Sequence, residues 1–122
     1  MLKNLFYIFI GGGVGSIFRF LISNYTQRLW NINLFPMGTF MVNILGCFAI
    51  GLLSGYFLKV DNQLKFLLIT GFCGGFTTFS TFSAEMYSLF QNQNFGIMFL
   101  YALLSMLLGG LAVWLGFLIV SK

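Results

Sequence analysis

Gly71-Phe72-Cys73-Gly74-Gly75-Phe76-Thr77-Thr78-Phe79-Ser80-Thr81-Phe82-Ser83 lies inside an otherwise apolar run from Leu64 to Phe90. At 1.5 Å per residue that run is long enough to cross a bilayer. Its middle is a poor helix. Adjacent glycines carry the largest ordinary backbone entropy penalty, and the Thr and Ser hydroxyls that follow offer the backbone competing hydrogen bonds. Broken backbone at membrane depth persists only where protein buries it or where it lines a cavity. The helix ends so exposed are good ion ligands, carbonyls on one side and N–H groups on the other. A lone Gly-Gly pair reads as tight helix packing. Five hydroxyls interleaved with phenylalanine directly after it point instead to an ion site.

The rest of the chain repeats the apolar theme. Of 122 residues, 59% are hydrophobic, six are basic and two acidic. Runs of about 20 apolar residues recur four times, as no soluble domain would show. The net charge of +4 then concerns membrane orientation, because nucleic-acid binding would need a clustered basic face. The first run reads as a span rather than a signal peptide, since it lacks a small-residue cleavage site and contains Arg19. Histidine is absent, which removes the commonest general base and metal ligand. Cys47 and Cys73 both fall in spans, with no second pair to make a zinc motif, and read as inert packing thiols. An enzyme is not expected.

The expected architecture is one all-α integral membrane domain over residues 1–122. Its spans are placed at about 5–23, 37–58, 64–90 (broken near 74–78) and 95–120. In the first, Gly11-Gly12-Gly13-Val14-Gly15-Ser16 imitates a dinucleotide loop but has the wrong spacing and no strand before it. Gly11/Gly15 and Gly12/Ser16 read as close helix packing. Arg19 has two readings, a side chain snorkelling to the interface or a charge lining a polar vestibule. Asn24 to Pro36 is a polar loop with Tyr25 and Trp30 as interface anchors. In the second span Thr39, Asn43, Gly46 and Ile50 share one face, and Gly51/Gly55 form a packing pair. Asn43 either donates to an anion or makes a structural bond between helices. After the break Thr78, Thr81, Glu85 and Ser88 share a face, with Phe79 and Phe82 on the next. On the last span Tyr101, Ser105, Gly109, Ala112 and Gly116 form a smooth, weakly polar strip.

Four spans put both termini on one side, called side A here; the other is side B. Arg19, Asn43, Glu85 and Tyr101 each lie about four to seven residues from the side-B end of their span, roughly 6–10 Å in. One shared vestibule opening on side B accounts for that common level, and an Arg19–Glu85 pair there would neutralise two costly charges. Lys3, Lys59, Lys65 and Lys122 sit on side A, against Arg28 and a snorkelling Arg19 on side B. That asymmetry favours side A in the cytoplasm.

These residues resemble the Fluc/CrcB-type fluoride channels over essentially the whole chain. GGGVGSIFRF is similar to the first-helix pattern, GTFMVNILGCFAIG to the second, and GFCGGFTTFSTFS to the third, which is highly specific. The resemblance implies a passive fluoride channel in the cell inner (plasma) membrane, exporting toxic cytoplasmic fluoride. It implies an antiparallel, dual-topology homodimer with two pores, although the lysine asymmetry leaves room for an oppositely oriented relative as partner. It implies a structural Na⁺ held by the backbone carbonyls of Gly74 and Thr77. The pore phenylalanines match Phe79 and Phe82, the pore-mouth amide Asn43, and the hydroxyl track Ser80, Thr81 and Ser83. Tyr101 and Ser105 match the pore wall of the last helix, where Gly109 stands in place of a hydroxyl found in some members. Arg19 and Glu85 fall in the vestibule. Two other readings compete, a small proton-coupled multidrug exporter and a non-conducting accessory subunit. The exporter needs a titratable acid near the membrane centre, and the accessory subunit has no use for the hydroxyl–phenylalanine track.

Overall fold

The computed structural model describes residues 1–30 and 35–121. Among them, four helical segments are long and apolar enough to cross a membrane. Helix α1 runs over Leu2–Leu29 and α2 over Met37–Lys59. The third segment is broken: α3 is a wide π-helical stretch, Phe66–Cys73, closed by one α turn, Gly74–Phe76, and α4 is Phe79–Gln91. Helix α5 runs over Phe95–Ser121. The all-α architecture with a broken third span is therefore the one expected.

Helix α1 continues six residues past the expected end at Ser23. The extra turns are put to use, because the Gln27 side chain accepts the backbone N–H of Gly38 at 3.0 Å. Gly38 is in the first turn of α2, whose donors have no partner within their own helix. Of the expected loop after α1, residues 31–34 lie outside the described residues, as does Lys122. At the side-A end, the Lys59 ammonium donates to the Val120 carbonyl at 2.6 Å, so the C-terminus of α2 caps that of α5.

Lipid tails are as apolar as leucine, so helices in a bilayer associate by close packing rather than by hydrophobic burial. Two pairs do so here through glycine. In α1 against α3, a Cβ on Gly11 would strike the Leu67 carbonyl and one on Gly15 the Phe72 carbonyl, while one on Gly75 would sit 2.5 Å from the Gly12 oxygen. In α2 against α5, Gly51 meets the Val113 backbone, and a Cβ on Gly116 would lie 2.5 Å from the Phe48 oxygen. The strip Tyr101, Gly109, Ala112 and Gly116 is buried against α2, which makes it a helix-packing face. Toward side B, Phe35 packs edge-on against both Phe40 and Tyr101, with centroids 5.5 and 5.3 Å apart. Most other apolar side chains, such as Phe9, Ile17, Phe99 and Met106, point outward.

Candidate functional site

The glycines are not the break. Gly74 and Gly75 stay helical, and the chain departs at Thr77 (φ −86°, ψ 156°) and Thr78 (φ −146°, ψ 120°), both extended. Each threonine finishes one helix. Thr77 sends its N–H and its hydroxyl back to the Cys73 carbonyl, at 3.0 and 2.9 Å. The Thr78 hydroxyl accepts the Thr81 N–H at 3.1 Å and so caps α4. Gly46 of α2 leaves room for this corner; a Cβ there would strike the Thr77 methyl and lie 3.2 Å from the Phe76 ring.

Two polar side chains satisfy the backbone freed by the break. Asn43 accepts the Thr78 N–H at 2.8 Å and returns an N–H to the Thr78 carbonyl at 3.1 Å. Its structural role between helices is thus formed, and one of its two amide hydrogens remains for another acceptor. Arg19 donates its Nε–H to the Gly75 carbonyl at 3.0 Å. The guanidinium is thus half-buried and tied to the break.

The suggested Arg19–Glu85 pair is not formed. Glu85 instead accepts the Thr39 hydroxyl at 2.9 Å on one oxygen and the Tyr101 hydroxyl at 2.9 Å on the other. The reason is proximity of better-placed donors: Thr39 of α2 and the fully buried Tyr101 of α5 flank the carboxylate, while the Gly75 carbonyl claims Arg19. The shared vestibule resolves into two adjoining cavities. The outer one, about 380 Å³, is lined by Ser23, Gln27, Thr39, Glu85 and Ser88 among others. The inner one, about 70 Å³, is bounded by Arg19, Ser23, Thr39, Thr78 and Thr81. Ser23, Asn24 and Thr39 belong to both. Asn43 and Tyr101 stand behind the walls as supports.

The remaining residues divide between the inside and the outer face. Phe82 is half-buried, its ring 4.9 Å from Tyr101 and 6.1 Å from Phe79. Phe79 is 79% exposed, and Ser80 and Ser83 face outward beside it. The Ser105 hydroxyl is buried with no hydrogen-bond partner among the described residues. Gly109 faces α2, where a Cβ would meet the Cys47 sulfur at an ordinary 3.5 Å. Cys47 and Cys73 are free thiols.

A family model described as CrcB-like protein, Camphor Resistance (CrcB), matches residues 6–117. The chain belongs to the CrcB family. Three similar relatives are each called Fluoride-specific ion channel FluC. The one from Azobacteroides pseudotrichonymphae is 47% identical, over 98% of this chain and 97% of its own. That from Flavobacterium psychrophilum is 47% identical over 99% of both, and that from Phocaeicola vulgatus 44% identical over 94% and 96%. With four apolar spanning helices among its described residues, this CrcB chain is a multi-pass membrane protein.

The break also bears on the implied sodium ion. Gly75 and Thr78 give their carbonyls to Arg19 and Asn43, whereas those of Gly74 and Thr77 accept no hydrogen bond among the described residues. Gly74 is exposed. Neutral hard oxygens left over in this way fit a Na⁺ ligand set. The cavity walls add residues that the sequence pattern alone does not single out: Ser23 and Gln27, Asn24 beside them, and Thr39 in its pairing with Glu85. The signal for the first two was available, because Arg19, Ser23 and Gln27 recur every four residues and form a polar stripe down α1.

Proposed function

We propose that this CrcB chain is a passive fluoride-selective channel, not an enzyme, through which cytoplasmic fluoride leaves down its gradient. The observation that carries the reading is the stepped polar lane at the break: the two hydroxyl-lined cavities, with the Phe79–Phe82 pair next to Thr78 and Thr81 in the first turn of α4. The names of the relatives support the same ion.

Fluoride is small and strongly hydrated, so a path must replace its water with donors. Ser23 and Ser88 line the outer cavity and Thr78 and Thr81 the inner one; Asn43 has an amide hydrogen in reserve, and the Ser105 hydroxyl is unpaired. The rims of the Phe79 and Phe82 rings offer positive edges. Arg19 attracts the anion, but its bond to the Gly75 carbonyl keeps part of its donor capacity occupied. Sites that are moderately attractive and multiple allow exit as well as entry. Thr39 and Tyr101 occupy both Glu85 oxygens, so the carboxylate presents less bare acceptor to a passing anion.

Phe79, Ser80, Ser83 and Gly74 are all exposed, which suits completion by a second, inverted copy. In that dimer Gly74 and Thr77 of each copy would hold a Na⁺, a positive charge supplied without any acidic side chain. Growth tests the function: in a bacterium stripped of its own fluoride export, the wild-type chain restores growth on fluoride and Phe82→Ile does not. Failure of the wild-type chain, expressed and folded, would contradict the reading.

A further inference from the structure

A further cavity, about 220 Å³, lies between α1 and α3 on the side-A half of the molecule, away from the polar lane. Ile10, Gly11, Val14, Leu67, Leu68 and Phe72 line it, and all six belong to spanning segments. Gly11 is the tight point of its wall, its backbone close against the Leu67 carbonyl. Ile10 and Val14 are 40% and 41% exposed, so the slot is open along the outer face.

Both of its walls lead to a cation on side A. On α1, Lys3, Tyr7, Ile10 and Val14 follow spacings of four, three and four, which is one helix face. The Lys3 ammonium lies over the Tyr7 ring, 5.9 Å from its centroid, on that same face. On the other wall Lys65 sits one turn before Leu68, its ammonium 5.6 Å from the Phe66 centroid. Its partner Asp61 is 3.5 Å away and 96% exposed, and such solvent-facing pairs hold little.

We infer that this slot binds an anionic phospholipid, one acyl chain lying between α1 and α3 and the headgroup resting on Lys3 and Lys65. An apolar slot at hydrocarbon depth matches the chain, and two lysines at its interfacial end match a negative headgroup. Each lysine near a membrane surface favours anionic lipid appreciably, and the apolar slot takes an acyl chain that a free phosphate ion lacks.

The test uses full-length protein from vesicles of equal phosphatidylglycerol and phosphatidylcholine, with retained lipid counted by native mass spectrometry. Wild type retains phosphatidylglycerol over phosphatidylcholine by about fivefold or more. Lys3→Gln/Lys65→Gln still holds lipid but without headgroup preference, and Leu68→Trp, which fills the slot, retains several-fold less of either. Val14→Phe fills the same slot from α1 and serves if Leu68→Trp does not fold, as judged by circular dichroism. No retained lipid on the wild type, equal retention of the two lipids, a preference untouched by the lysine changes, or lipid kept by folded slot-filled variants would each overturn the proposal.

Discussion

Asn43 holds Thr78 with both ends of its amide, and the chemistry of that one side chain sets a sharp expectation. Asn43→Asp keeps the acceptor for the Thr78 N–H but places a carboxylate oxygen against the Thr78 carbonyl, where no donor remains. The lost bond and the unpaired buried oxygen cost about 1–3 kcal/mol, and the new negative charge faces the path of an anion. The variant is expected to melt at lower temperature in detergent and to carry no fluoride in liposomes. Wild-type flux from folded Asn43→Asp would show that the amide is dispensable. Both roles of this residue were legible from the sequence, because an amide in hydrocarbon must find partners. Its actual partner was not, since nothing in the local pattern tells α2 which turn of the third span it will meet. Arg19 illustrates the same limit, as its pairing with Glu85 was reasonable by depth and failed on which donors lie around the carboxylate.

Within the third span, the sequence located the interruption but misassigned its cause. Gly-Gly looks like the weak point by propensity, yet both glycines remain helical. They serve close approach, Gly75 against Gly12, and the chain turns where Thr77 and Thr78 can cap the two helix ends. The π-helical winding of Phe66–Cys73 had no signature in apolar residues whose periodicity is featureless. The corner itself yields a paired prediction. Gly46→Ala drives a methyl into the Thr77 Cγ2 atom, so the variant is expected to lose about 1–3 kcal/mol of stability through overpacking, along with its flux. Thr77→Ser removes that atom and keeps the hydroxyl that closes α3, so Gly46→Ala/Thr77→Ser is expected to recover much of both. Melting temperatures of the two variants decide it; equal damage in single and double variants would mean the contact does not set the corner.

For the whole molecule, the question is how two copies would sit. Arg19 is half-buried and bonded to the Gly75 carbonyl, so Arg28 is the exposed cation of side B, against Lys3, Lys59 and Lys65 on side A, as well as Lys122 beyond the described residues. That distribution carries a positive-inside tendency toward cytoplasmic termini. An antiparallel homodimer still predicts that a C-terminal tag, in cells expressing only this chain, labels from both sides of the membrane; labelling from the cytoplasm alone would require an oppositely oriented relative. Replacing Na⁺ by a bulky organic cation should loosen that dimer or stop flux, measured by size-exclusion chromatography and efflux, with no change if the Gly74 and Thr77 carbonyls hold no ion.

The most direct measurement is ion efflux from liposomes containing the purified chain, with the membrane voltage clamped by a potassium ionophore and no proton gradient imposed. A passive channel of the kind proposed releases fluoride rapidly and chloride not at all, at a rate indifferent to the proton gradient. Equal release of chloride, release that requires a proton gradient, or retention of fluoride by folded protein would contradict it.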